Sequence, residues 1–239
     1  MNQPGPLVSC LMVTRGDVRR IAIAVKCFRH QDYPHRELLI VTDNNSPELT
    51  SLVGENSALH VRLVEAPGGL TLGDLRNFAA ARADGEIVCQ WDDDDLYDPN
   101  RITASVEALT HNDAAAVVLE QWLMWWPARR VIALSQRRLW EGSLVMWKRH
   151  HSIYPALNRR EDTAFTNNVA SSAKLITLNV PQLYLYVIHG DNTWSADHFE
   201  VLFDMSERCW LGEEYDAKLR ALSSRLPIAE YKILLGIQD

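Results

Sequence analysis

Four short apolar runs, at residues 7–13, 37–42, 60–65 and 86–91, alternate with segments whose apolar side chains recur at helical spacing. Strands that take turns with helices have few arrangements open to them, because each helix must return the chain over one face of a sheet. The outcome is a parallel sheet with right-handed connections. Three such strand–helix–strand units fill about the first hundred residues. Turn chemistry agrees: Ser46 before Pro47 is a good helix start, Pro67-Gly68-Gly69 closes the third run, and Asp84-Gly85 ends the helix expected over 71–83. The expected fold class is α/β, with a mostly parallel central sheet flanked by helices.

The fourth run leads directly into Asp92-Asp93-Asp94-Asp95, so a strand delivers a carboxylate cluster to its C-terminal end. That is where an open α/β sheet puts its ligand. Adjacent ionised carboxylates repel, and hard cations such as Mg2+ or Mn2+ bind through one or two carboxylates plus substrate phosphates. The cluster asks for such a cation. A solvated acidic turn is the plain alternative, since Asp is common in loops. The net charge of −7, without a basic block, offers no footprint for nucleic acid or an anionic membrane, so any bound phosphate must be gripped locally.

With 239 residues, 47% of them apolar and 23% charged, the chain can bury a full core, and one domain is expected, folded except for its first few residues. Cys10, Cys27, Cys89 and Cys209 show neither CxxC spacing nor a His partner pattern, so buried free thiols are expected. The N-terminal residues lack a basic leader, and no stretch approaches the roughly 20 apolar residues of a spanning helix. The expectation is a soluble, cytoplasmic protein, with peripheral membrane association left open.

Beyond Asp98-Pro99, which reads as the start of a helix to about His111, the texture changes. Residues 114–126 and 131–134 are apolar and aromatic, with a turn at 127–130 that suits a hairpin. Trp122, Trp125, Trp126, Trp140 and Trp147 fall here; core packing is their commoner use, although one or two can line an acceptor groove. A helix is expected over 160–172, strands over 174–179 and 183–188, a polar loop over 189–194, and a helical tail from 196 with a break at Pro227.

Several of these pieces together resemble the inverting family 2 glycosyltransferases, whose nucleotide-sugar-binding fold is called GT-A. The carriers are residues 8–14, Gln31-Asp-Tyr-Pro34, residues 37–46, Leu72-Gly-Asp-Leu-Arg-Asn77, residues 85–95 and Arg160-Glu-Asp162, spread over about residues 7–190. The resemblance implies one GT-A domain: a nucleotide-binding half over about 7–98, an acceptor-side half with a smaller antiparallel sheet over about 99–195, and a helical tail over about 196–239. The family's Asp-any-Asp motif maps onto Asp92, Asp93 and Asp94. Asp92 would then touch the ribose or the metal, and Asp94 would hold the Mn2+ or Mg2+ that bridges the diphosphate. Asp95 and Asp98 are assigned mainly to structure.

By the same resemblance Asp43 would accept a hydrogen bond from uracil, although the family often has two acids where this chain has Thr42-Asp43-Asn44; capping the next helix is the competing role. Thr14 and Arg15 would line the base pocket beside it. Arg76 and Asn77 match an Arg-Asn pair near the nucleotide, with an ordinary surface arginine as the alternative. Asp162 matches the catalytic base, which takes the acceptor hydroxyl's proton, and Glu161 would orient it or hydrogen-bond the acceptor; favouring the helix dipole is their bland role. His189 is a candidate metal ligand in a loop.

The implied activity is transfer of a sugar from a nucleoside diphosphate donor, with UDP favoured, to the hydroxyl of a glycan, a lipid-linked or another acceptor, with inversion. A nucleotidyltransferase is the nearest rival and would carry a glycine-rich loop after the first strand, where Thr14-Arg15-Gly16-Asp17 has one glycine. A catalytically silent sugar-nucleotide or partner-binding protein is the third reading.

Overall fold

The computed structural model describes residues 5–237, so most of the N-terminal stretch expected to be unfolded lies outside the described residues. The alternation read from the sequence is realised as β1 (Val8–Val13), α1 (Val18–Arg29), β2 (Arg36–Thr42), α2 (Pro47–Asn56), β3 (Val61–Glu65), α3 (Leu72–Arg82) and β4 (Ile87–Gln90). These four strands are parallel neighbours in the order β4-β1-β2-β3. Both faces are covered. Met12, Leu38, Ile40 and Cys89 pack on one side, against α1 and the rest of the main core. Leu11, Leu39, Val41 and Val88 pack on the other, against Leu75, Ala79 and Ala80 of α3. Double-sided burial is why these strands read as continuous apolar runs rather than as alternating ones.

The chain continues through β5 (Leu96–Tyr97), α4 (Arg101–His111), β6 (Ala116–Leu119), β7 (Leu123–Trp126), β8 (Val131–Leu134), β9 (Trp140–Trp147), α5 (Glu161–Ser172), β10 (Leu175–Leu178), β11 (Tyr184–Val187), α6 (Ala196–Asp204), β12 (Arg208–Trp210), α7 (Gly212–Ser223) and α8 (Ile228–Leu234). β9 joins the main sheet antiparallel to both β4 and β6, and β10 adds in parallel beyond β6. A smaller sheet, β12-β8-β7-β11-β5, is antiparallel except for β7 with β11.

One expectation needs refining and another correcting. The hairpin expected about residues 127–130 forms between β7 and β8, but the apolar stretch before it divides: after a register shift between Val117 and Leu119 the chain leaves the main sheet, and β7 belongs to the smaller one. Buried polar side chains satisfy the backbone at the crossing, since Leu119 N donates to Ser143 Oγ, Trp122 N to Ser135 Oγ, and Gln121 Nε2 to Ser135 O. Such a sheet change leaves no mark in hydrophobicity alone. Cys209 is exposed on β12, unlike the three buried thiols. Among the described residues, no helix is long and apolar enough to cross a membrane.

Candidate active site

The C-terminal ends of β1, β2 and β4 open onto a cleft of about 640 Å³, walled on its other sides by the start of α5, the loop before α6, and aromatic residues of the smaller sheet. Thr14, Arg15, Asp43, Arg76, Asp92, Asp93, Asp94, Glu161 and Asp162 all line it. Asn77 and His189 do not, and each has a definite place elsewhere.

The acidic segment after β4 is no solvated turn. Asp95 is buried, its carboxylate accepting from Tyr184 Oη at 2.5 Å and Val187 N at 2.8 Å, so it ties the segment to β11 as a structural group. Tyr97 Oη donates to Asp92 O and Tyr231 Oη to Asp94 O, fixing the backbone between them. Beneath lies Arg101, buried, donating to Gln90 O at 2.7 Å with its guanidinium over the rings of Tyr97 and Tyr184. The side chains of Asp92, Asp93 and Asp94 are left to the cleft. Burial, and then the charge of Asp94, lift Asp93 to about 7, even though Thr14 Oγ1 donates to it. Crowded negative charge of this kind is what a divalent cation relieves.

His189 Nε2 lies 3.0 Å from Asp94 Oδ2, with its side chain fully shielded. Among the described residues no group of three or more His, Cys, Asp or Glu side chains closes on one point as a preformed cation cage. Asp98 is structural, as expected: it accepts from Asn100 N at 2.9 Å and pairs with Arg225 from beyond α7.

Arg76 is not an ordinary surface arginine. Its Nε donates to Glu161 Oε1 at 3.0 Å and its Nη2 lies 3.3 Å from Asp92 Oδ1, so one guanidinium links the two acidic sets. Burial opposes the charge, yet Asp92 and Glu161 hold it firmly protonated. Glu161 is itself 2% exposed, and burial raises its pKa against the pull of Arg76. Asp162 is half-buried, and its carboxylate accepts only from the following backbone N–H, Thr163 N at 2.7 Å, among the described residues. Glu161 is thus held in place, and Asp162 is left available.

Asn77 departs from the expected nucleotide contact. Its Nδ2 donates to Tyr154 O and its Oδ1 accepts from Tyr154 N, so the whole amide clamps the loop before α5. Gly73 serves the same loop: its N donates to Leu157 O, and a Cβ there would lie 1.9 Å from Pro155 O. Asp43 is exposed in the cleft, and the cap of α2 is Ser46, whose Oγ accepts from Leu49 N. The helix-cap role for Asp43 is therefore excluded.

The sequence assigns no role in the site to Arg138, Arg159, Arg160, Trp194 and His198, which line the cleft, or to Tyr97, Arg101 and Tyr231, which hold the acidic segment. Only the placement of Arg159 and Arg160 beside the Glu161-Asp162 pair could have drawn attention to any of them. Of the tryptophans, Trp122 and Trp140 stack with ring centres 4.3 Å apart and line the cleft. Gly142 sits against them, where a Cβ would be 3.3 Å from the Trp122 ring.

Residues 9–123 match the family model described as glycosyl transferase family 2. No curated protein matches in sequence. Solved structures with a similar fold include residues 1–349 of S. aureus TarS in complex with UDP, at 15% identity and a TM-score of 0.62, covering 82% of this chain and 62% of that one. The same protein in complex with UDP-GlcNAc gives 16% and 0.62, covering 81% and 64%. The mannosyltransferase PcManGT from Pyrobaculum calidifontis, in complex with GDP-Man and Mn2+, gives 17% and 0.60, covering 96% and 79%. The chain therefore spans less than two thirds of the length of the TarS structures. At these identities the likeness is one of fold.

Proposed function

We propose that this chain, a GT-A glycosyltransferase whose residues 9–123 belong to glycosyl transferase family 2, moves a sugar from a nucleoside diphosphate, UDP in the first instance, to an acceptor hydroxyl, with inversion and with a divalent cation. The observation that carries this reading is the Arg76 bridge: it joins Asp92 of the strand-end acids to Glu161 while leaving Asp162, on the same cleft, without a side-chain partner among the described residues.

Asp43, Thr14 and Arg15 form the end of the cleft where a base would lie, the position at which an open α/β sheet receives its ligand. Asp92 and Asp94 would hold Mn2+ or Mg2+ together with the donor's phosphates, and the imidazole of His189 beside Asp94 orients that carboxylate or joins it as a ligand. Two carboxylates suffice, since cations of this type usually complete their shell with phosphate oxygens and water. When bound, the cation supplies Lewis-acid stabilisation of the charge that develops on the departing diphosphate. Asp162 accepts the proton of the acceptor hydroxyl, whose oxygen attacks the anomeric carbon from the face opposite the leaving group. Glu161, fixed by Arg76, positions the first turn of α5 that carries Asp162.

A nucleotidyltransferase is disfavoured because the segment after β1 offers one glycine and no phosphate-cradling loop. The test is a screen of nucleotide sugars for Mn2+-dependent thermal stabilisation, followed by transfer to an acceptor and assignment of the product's anomeric configuration. Stabilisation by a ligand grows with its concentration over Kd, so the donor is expected to give the largest shift and to yield an inverted product. Stabilisation that ignores Mn2+, or a product with retained configuration, contradicts the reading.

A further inference from the structure

The cleft is lined by basic side chains as well as acids. Arg138 from the β8–β9 connection and Arg159 and Arg160 from the approach to α5 all line it, with His198 of α6 among them. The guanidiniums of Arg159 and Arg160 lie 5.5 and 5.8 Å from the ring centre of Trp194, and Arg138 lies 4.1 Å over Trp140. Trp194 stacks on His198 at 4.6 Å. That imidazole is held below its ordinary range by burial and then by Arg138 and Arg160, as expected where two cations crowd one ring. The basic groups therefore converge, although they come from three separate parts of the chain.

Arg138 already has a carboxylate partner, Glu141 at 2.7 Å. Arg159 and Arg160 are exposed to the cleft and form no ion pair among the described residues. Arg160 also has φ 62° and ψ 14°, the left-handed region that a residue with a Cβ seldom enters, and its side chain does not cap the helix it precedes. Asn, Asp or Ser would cap that helix, and Gly or Asn would tolerate that backbone; arginine does neither well.

We propose that the acceptor is an anionic sugar, whose attacking hydroxyl sits at Asp162 and whose carboxylate or phosphate is received by Arg159 and Arg160. Guanidinium matches both anions through paired N–H donors. The proposal rests on the reading of Asp162 as the base and leaves the bond changes as they are. The hydroxyl proton passes to Asp162, the oxygen bonds to the anomeric carbon, and the carbon–oxygen bond to the diphosphate breaks with its electron pair leaving on the diphosphate.

The experiment measures binding of methyl β-glucuronide, glucose 6-phosphate and methyl β-glucoside by saturation-transfer NMR and titration, with and without UDP and Mn2+. Compared with the neutral glucoside, at least one anionic sugar should bind tighter by roughly tenfold, the size expected of partly screened charge-assisted hydrogen bonds. Added salt should weaken that preference. The glucuronide and the sugar phosphate distinguish carboxylate from phosphate as the natural anion. The double variant Arg159→Gln/Arg160→Gln should lose the preference for charge and keep its affinity for UDP. Equal binding of the three sugars, or none, overturns the proposal. Loss of UDP affinity in the double variant also overturns it, because the arginines would then serve the donor's diphosphate. Failure of UDP to bind the unmodified protein would instead count against the donor reading, and the sugar titrations without nucleotide still decide the question of charge.

Discussion

The carboxylates after β4 and those that open α5 face one cleft but are held in opposite ways. The first set is over-determined: Tyr97, Tyr184, Tyr231 and Val187 fix its backbone and Asp95, while Arg76 and Thr14 engage Asp92 and Asp93. The second set hangs from a loop clamped through Asn77 and Gly73, and within it Glu161 is tied to Arg76 while the Asp162 carboxylate has no side-chain partner among the described residues. A group that binds a metal-diphosphate gains from rigid placement before the ligand arrives. A general base must instead keep a lone pair available for a proton. In the proposed mechanism this contrast corresponds to binding in one region and proton transfer in the other.

The largest expected effect separates them at one residue. Asp162→Asn keeps shape and removes the proton acceptor, so transfer should fall by about two to four orders of magnitude in steady-state assays while UDP affinity stays nearly unchanged. Near-normal turnover would move the base role to Glu161 and erase the contrast. Next is the bridge itself. Arg76→Ala leaves Glu161 buried and unpaired, which should cost roughly 3–5 kcal/mol in denaturant unfolding, and adding Glu161→Ala should recover much of it. Losses that simply add would mean that Arg76 and Glu161 are not energetically coupled.

Smaller effects refine the donor side. Asp43→Ala should weaken UDP by roughly tenfold more than ADP if Asp43 accepts from the uracil imide, and parallel losses would remove it from the base pocket. Asp93, raised from 3.8 to about 7, keeps a proton in the native chain that the unfolded chain releases. Stability therefore falls as pH rises through that window, and the deficit is complete above it. Asp93→Asn cannot ionise. Its thermal-denaturation advantage over the parent, without divalent cation, should vanish near the lower end and be greatest above about 7. A constant advantage across that range would contradict the shift.

These regions also differ in how much the sequence disclosed. In the first, period and turn chemistry coincide: Ser46, Thr71 and Asp84-Gly85 mark the element boundaries, and a parallel sheet puts its ligand groups at strand ends that can be counted along the chain. In the second, β9 leaves little local mark, because Trp140–Trp147 is buried almost throughout and shows no alternation, and the change of sheet between β6 and β7 falls inside one apolar stretch. The clamp made by Asn77 is hidden for a related reason. Its partner Tyr154 is 77 positions away, and nothing local reveals such a clamp. The site acids were legible as types at particular places, whereas the difference between Glu161 and Asp162 required knowing where Arg76 reaches.

The division of labour between the two regions is tested most directly by titrating UDP into the parent, Asp94→Asn and Asp162→Asn proteins, each with Mn2+ and with chelator. The proposed mechanism predicts that the parent and Asp162→Asn bind alike and only weakly once Mn2+ is removed, whereas Asp94→Asn shows the weak affinity in both conditions. Equal UDP affinity with and without Mn2+ in the parent, or a loss in Asp162→Asn as large as that in Asp94→Asn, would contradict it.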